Sequence, residues 1–157
     1  MEFFSPENLE LFGQLALATL LGALIGVERE LARKTAGMRT FALVALGSAL
    51  FTTLSQIAAS SFIGTPYDPS RIASQVVVGI GFIGAGIIIF NQQKLRGLTT
   101  AAGLWVTAAI GMAVGYRFYQ IAIFATFIAV FVLFFLWFIE HKLVRKFTSF
   151  EHAEDED

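Results

Sequence analysis

Charged side chains are concentrated in one short segment, which carries six charges in the twelve residues from Glu28 to Arg39. Glu28 and Glu30 offer hard carboxylate oxygens of the kind that Mg²⁺ prefers, and magnesium sites usually use only one or two carboxylates. With Arg29 and Arg39 beside them, these acids predict a cation-attracting or ion-paired network. The alternative is a solvated basic loop that sets membrane topology and binds anionic headgroups.

A second acid and base lie in the run Asp68-Pro-Ser-Arg-Ile-Ala73. This run suits the start of a helix, with Asp68 as the N-cap and a proline in the first turn. The alternative is that Asp68 and Arg71 form an external gate or recognise a partner. If a metal ion binds, Glu28 and Asp68 are the two carboxylates that we expect to hold it.

A third candidate group begins the fourth apolar run. Thr99 and Thr100 are expected to cap a helix or to point their hydroxyl groups into the bundle. Trp105 lies too deep for an interfacial aromatic belt. We therefore expect a buried indole, whose N–H needs a partner.

Small residues recur at short spacings in three apolar runs. The stretch Gly79–Gly86 contains a Gly-x-Gly-x-x-Gly match, but it lies inside an apolar span without the strand and distal acid of a dinucleotide site. Close helix packing, or unwinding around a cavity, is the remaining interpretation. We expect the first, third and fourth helices to form the tight centre of the bundle, with these packing residues: Gly22, Gly26, Gly79, Gly81, Gly84, Gly86, Gly103, Gly111 and Gly115.

Nothing in the sequence predicts an enzyme or a nucleic-acid partner. The histidines are His141 and His152, both after the last apolar run, and there is no cysteine, HExxH or GxSxG motif. No catalytic residue is therefore assigned. Acids are also absent from the middle of the spans, which weakens a conventional ion-transport mechanism.

The elements that must position these residues are membrane helices. The chain is 56% hydrophobic and 15% charged in 157 residues, more apolar than a domain of this size can bury. Five runs are near the roughly 20 residues that cross a bilayer. We predict an all-α integral membrane bundle over residues 1–140, followed by a charged cytoplasmic tail, 141–157, that is disordered at its end. The predicted helices are 9–27, 41–63, 72–90, 98–115 and 120–139.

Orientation follows from the distribution of lysine and arginine. Alternate assignment of the loops gives nine bases on one side and two on the other. Because the basic side is cytoplasmic, the N-terminus is predicted outside and the C-terminus inside. The fifth helix is rich in phenylalanine and is expected to face lipid or a second subunit. A homodimer is expected because the extended small-residue faces of the bundle offer surface for isologous packing.

Several ordered blocks strongly resemble the MgtC/SapB (YhiD-like) family of bacterial inner-membrane proteins, over about residues 10 to 136. The blocks are Gly26-Val-Glu-Arg-Glu30, Ala36-Gly-Met-Arg-Thr40, Leu46-Gly-Ser48, Asp68-Pro-Ser-Arg-Ile-Ala73, Val78–Gly86, Gly97–Trp105 and Ala108-Ala-Ile-Gly111. The resemblance implies a plasma-membrane protein linked to magnesium limitation and, in some pathogens, to survival inside host cells and inhibition of the F-type ATP synthase. It extends to the membrane domain only, without the soluble C-terminal domain of longer members.

The expected function is therefore a non-enzymatic role in magnesium homeostasis or in adaptation to low magnesium and envelope stress. One alternative is a small regulator that binds another membrane complex, such as the F-type ATP synthase. The other is a divalent cation transporter or channel. The expected partners are the lipid bilayer, a second copy of the chain and a membrane protein, and Mg²⁺ is the one candidate cofactor.

Overall fold

The computed structural model describes residues 4–61, 68, 70–91, 94–139 and 142. Its helices are α1 (Pro6–Leu31), α2 (Met38–Ser61), α3 (Ser70–Ile87), α4 (Leu98–Gly115) and α5 (Tyr119–Phe131), and a π-helical segment, Val132–Leu136, continues α5. Five helices in this part of the chain are long and apolar enough to cross a membrane, the last running to Ile139. The predicted all-α membrane bundle is confirmed. Of the predicted tail, only residue 142 is described.

The first helix is longer at both ends than the apolar run that predicts it. Ser5 is its N-cap, and the Ser5 hydroxyl accepts a hydrogen bond from the Asn8 amide at 3.3 Å. Pro6 occupies the first turn, where its missing N–H costs nothing. At the other end α1 continues to Leu31, so Glu28, Arg29 and Glu30 belong to the helix rather than to a loop.

The tight centre of the bundle consists of α1, α2 and α4. A β-carbon added to Gly22 of α1 would lie 2.6 Å from the Phe41 carbonyl oxygen of α2. On α4, a β-carbon at Gly111 would lie 2.3 Å from the Ala45 oxygen, and one at Gly115 would lie 2.7 Å from Cβ of Thr52. The prediction that α3 joins α1 and α4 at the centre is wrong, because the glycines of α1 and of α4 face α2.

Only one glycine of the α3 motif packs against another helix within the described chain. A β-carbon at Gly84 would be in ordinary contact with Ala101 of α4, at 3.5 Å. Gly79, Gly81 and Gly86 meet nothing within 4 Å, so the prediction that they pack inside the bundle is wrong for one copy of the chain. The helix nevertheless continues through the motif without unwinding.

A short antiparallel hairpin, which the sequence analysis did not predict, connects α3 to α4. Strand β1 (Ile89–Asn91) pairs with β2 (Lys94–Arg96), with Ile89 opposite Arg96. Gly97 then starts α4 with a φ of 90°, and a β-carbon there would lie 2.5 Å from the Ile87 carbonyl oxygen. Both the left-handed backbone and the close approach require glycine at this turn.

The fifth helix presents its aromatic side chains to the outside of the bundle, as predicted. Phe131 and Phe135 stack with ring centroids 4.8 Å apart. Only Ala122 and Thr126 of α5 are buried. The exposed aromatic residues are Phe124, Phe127, Phe131, Phe134, Phe135, Trp137 and Phe138.

Candidate functional site

Glu28 and Arg29 form an ion pair at the end of α1. The Arg29 side chain is only 2% exposed, and that of Glu28 is 13% exposed. Nη2 of Arg29 donates to Oε1 of Glu28 at 2.6 Å, and Nε of Arg29 donates to Oε2. A buried guanidinium is tolerated only when it is paired and hydrogen-bonded. Both Glu28 oxygens are therefore used to neutralise Arg29.

Glu30 connects the end of α1 to the start of α2. Its Oε2 accepts a hydrogen bond from the backbone N–H of Met38 at 3.0 Å. The first amides of a helix lack intrahelical partners and carry a partial positive charge, so a carboxylate is stabilising there. Gly37, the residue before α2, lies close to this carboxylate, since a β-carbon at Gly37 would lie 2.8 Å from Oε2 of Glu30.

These residues define the basic end of the bundle, by which we mean the end formed by residues 28–39. Close packing continues into it, because a β-carbon at Gly26 would lie 2.5 Å from Cα of Met38. Arg39 is exposed and lines a groove between α2 and α3. Of the predicted network, the structure thus joins Glu28 to Arg29, while Glu30 caps α2 and Arg39 lies on the outer surface.

Asp68 caps α3, as the sequence predicts. Its Oδ1 accepts hydrogen bonds from the backbone N–H of Ser70 at 2.8 Å and from the Ser70 hydroxyl at 2.7 Å. The backbone N–H of Arg71 also donates to the Asp68 carbonyl oxygen, at 3.2 Å. The Ser70 hydroxyl and amide lower the pKa of the Asp68 carboxyl below its ordinary value.

Asp68 lies at the end of the bundle opposite to Glu28. Asp68 is close enough to Tyr116, the residue that follows α4, for the two side chains to interact electrostatically. Burial, and secondarily the negative charge of Asp68, raise the pKa of Tyr116. Glu28 lies beside the start of α2, whose 24 residues span roughly 36 Å. One metal ion cannot bridge that distance. In the part of the chain that the structure describes, no three histidine, aspartate or glutamate side chains lie close enough together to hold a metal ion.

The three candidates on α4 face different surroundings. Thr100 is buried and Thr99 is exposed. Trp105 is 54% exposed, so the prediction of a buried indole is wrong. Its ring lines a shallow cleft of about 200 Å³ with Val77 of α3 and Met112 of α4. Trp105 lies near the middle of α4, but on the outward face of the helix.

Two buried polar side chains were not selected as candidates from the sequence. Gln14 is 3% exposed and Thr53 is 6% exposed. Neither the Gln14 amide nor the Thr53 hydroxyl has a hydrogen-bond partner among the described residues. The signal was present, because Gln14 precedes Ala18, Gly22 and Gly26 at the same four-residue spacing and therefore shares their inward face.

The fold and the site together define a multi-pass α-helical membrane protein with a closely packed centre and paired charges at one end. The model of the MgtC family matches residues 15–142, and the chain belongs to that family.

Three relatives illustrate the similarity. "Putative magnesium transporter YhiD" of Escherichia coli K12 is 46% identical over 123 residues, which cover 76% of this chain and 57% of the relative. "Protein MgtC" of Salmonella typhimurium LT2 is 48% identical over 114 residues, 73% of this chain and 47% of the relative. An uncharacterized protein of Haemophilus influenzae is 42% identical over 128 residues, which cover 78% of this chain and 54% of the relative.

The chain spans about half the length of the curated relatives that it matches. No solved structure gives a significant match.

Proposed function

We propose that this protein supports growth under magnesium limitation without catalysing a reaction and without itself conducting Mg²⁺. The family and the name of the Escherichia coli relative support the link to magnesium. The observation that favours a role other than conduction is the close approach of α1 and α4 to α2, at distances that leave no room for a β-carbon.

The charges of the bundle also favour this proposal. A path for a divalent cation needs acidic or carbonyl oxygens that are free to replace its water ligands. The most buried charged group described, Arg29, is cationic, and Glu28 neutralises it. Glu30 is engaged with the start of α2. Because both carboxylates of the basic end are already engaged, they favour a structural or regulatory role over cation coordination.

The proposal includes the orientation predicted from the lysine and arginine distribution. The basic end then lies at the cytoplasmic face, where the protein can respond to or act on cytoplasmic and membrane components. Stress adaptation in the wider sense, including envelope stress, belongs to the same proposal.

Growth at low magnesium tests the proposal. The full chain is expressed in a bacterial strain that lacks its own MgtC-family gene, and growth is compared in magnesium-limited and magnesium-replete medium. We expect wild type to restore growth only under limitation, and Glu28→Gln to fail although it is inserted. Glu7→Gln is a matched control, because Glu7 is an exposed acid in the first turn of α1.

Failure of the inserted wild-type chain to restore growth would refute the magnesium role. Equal rescue by Glu28→Gln and Glu7→Gln would refute the assignment of function to the basic end.

A second candidate is a regulator that binds another membrane complex, such as the F-type ATP synthase, and the exposed aromatic face of α5 favours it. The same face can serve a homodimer. Purification in mild detergent separates these alternatives. Stoichiometric retention of a second membrane protein supports the regulator, and a dimer without another protein supports self-association.

A further inference from the structure

A long groove runs between α2 and α3 on the outside of the bundle. Its volume is about 730 Å³, within the range of roughly 300–1,000 Å³ that is typical of small-molecule sites. The groove exists because α3 packs on α4 through Gly84, while Gly47 of α2 and Gly79 of α3 leave open space where side chains would otherwise meet.

The walls of the groove are almost entirely apolar and face outward. Leu43 is 66% exposed, Phe51 is 54% exposed and Phe82 is 84% exposed. Ser48 and Gln75 are the polar residues along its length, and Thr40 lies beside its charged end. Such a surface is suited to a hydrocarbon chain and unsuited to a hydrated ion.

One end of the groove carries a positive charge. Arg39 is the one charged residue among the described ones that line it, and it lies in the first turn of α2. Arg33 and Lys34 are exposed nearby in the chain, at the same end of the bundle. A guanidinium forms two parallel hydrogen bonds with a phosphate, so this end is complementary to a phosphate-containing headgroup.

The dimensions match one leaflet of a bilayer. From Arg39 to Phe51 the groove follows twelve helical steps, or roughly 18 Å. Half of a hydrocarbon core of about 30 Å is close to this length.

We propose that the α2–α3 groove binds one acyl chain of an anionic phospholipid, whose phosphate is held by Arg39. The charge lies at the headgroup end, and the apolar walls extend over the depth of one leaflet. This site is distinct from the Glu28–Arg29 pair and does not depend on a role in magnesium homeostasis.

Lipid retention by the purified full chain tests this proposal. Protein is extracted from vesicles of equal parts phosphatidylglycerol and phosphatidylcholine with matched acyl chains, and bound lipids are counted by native mass spectrometry. Wild type is expected to retain one phosphatidylglycerol, with about tenfold preference over phosphatidylcholine. Arg39→Gln is expected to abolish the preference, and Arg39→Lys to keep part of it. Lys34→Gln, which removes an exposed charge outside the groove, is expected to behave like wild type.

A second pair of variants tests the apolar part of the groove. Gly79→Leu fills it, whereas Gly81→Leu adds the same side chain to the same helix outside the lining. A β-carbon at either position meets nothing within 4 Å, so both variants are expected to fold. We expect Gly79→Leu to reduce retention of both lipids at least fivefold and Gly81→Leu to leave retention unchanged.

Four results would overturn the proposal. The first is equal retention of the two lipids by wild type. The second is equal loss in Arg39→Gln and Lys34→Gln, and the third is undiminished binding in Gly79→Leu. The fourth is disulfide-linked dimers of Gly47→Cys or Gly79→Cys in the vesicles, because the chain has no cysteine and such a crosslink would place a second copy in the groove.

Discussion

Gly111 of α4 lies against the backbone of Ala45 of α2, so closely that a β-carbon at Gly111 would come within 2.3 Å of the Ala45 carbonyl oxygen. The same β-carbon would lie 2.9 Å from Cβ of Ser48. One missing side chain thus sets the separation of the two helices. In a membrane, where lipid removes most of the hydrophobic driving force, such contacts are a main source of helix association.

This contact predicts different effects for the same substitution at two glycines. Gly111→Ala should lower the free energy of unfolding by about 1–3 kcal/mol, because the backbone of α2 must shift. Gly81→Ala should be neutral or slightly stabilising, since it gains helix propensity and meets nothing within 4 Å. Unfolding in mixed detergent micelles measures both. Equal destabilisation of the two variants would contradict the packing described for α2 and α4.

The Glu28–Arg29 pair predicts non-additive energetics. Arg29→Met leaves a carboxylate without its partner at a site of low exposure and should cost about 3–5 kcal/mol. Adding Glu28→Gln to Arg29→Met should recover part of that loss, because the unpaired charge is removed. A double-mutant cycle of unfolding free energies measures the coupling. Strictly additive losses would mean that the two side chains do not interact.

The cap of α3 predicts a loss of stability in acid. The pKa of Asp68 is lowered from its ordinary value of 3.8, so folding favours the carboxylate form. The contribution is present above that value and is lost as the pH falls through the lower pKa of the folded state.

Asp68→Ala should therefore be less stable than wild type near neutral pH, and this difference should shrink below about pH 4. Thermal unfolding of both proteins across the pH range measures it. A difference that stays constant in acid would contradict the role of the carboxylate.

The proposed orientation predicts the labelling of single cysteines. Lys34→Cys places a thiol at the basic end, and Phe118→Cys places one just before α5, where the side chain is 58% exposed. In intact cells, an impermeant maleimide should label Phe118→Cys readily and Lys34→Cys only after permeabilisation. The reverse pattern would show the opposite orientation.

The spans and the cap of α3 could be predicted because they depend on local sequence. Five long apolar runs have few structures available in a bilayer, and Asp68 precedes Pro69 and Ser70 in an order typical of a helix start. The helix that packs against the glycines of α1 and α4 was harder to predict. A glycine indicates that another backbone approaches, but it does not identify which helix supplies that backbone.

Two wrong predictions, the choice of helices at the centre of the bundle and the burial of Trp105, could nevertheless have been avoided from the sequence. Ala45, Ala49, Ser48 and Thr52 form a small-residue face on α2, which complements the glycines of α1 and α4. Trp105 lies two residues from both Gly103 and Thr107, and residues two apart on a helix point in nearly opposite directions. Once Gly103 faces the centre, Trp105 must face outward. Arg29 lies three residues after Gly26 and seven after Gly22, so its position on the inward face of α1 had a signal as well. Its pairing with Glu28 had none, because adjacent residues of a helix do not ordinarily face each other.

Magnesium flux into proteoliposomes tests the central claim most directly. The full chain is reconstituted into vesicles loaded with a magnesium-sensitive dye, an inward Mg²⁺ gradient is applied, and dye fluorescence is followed over time. Because the centre of the bundle is closely packed, the account predicts influx equal to that of protein-free vesicles. Saturable Mg²⁺ influx in wild type that disappears in Glu28→Gln would contradict it and would establish a transport function.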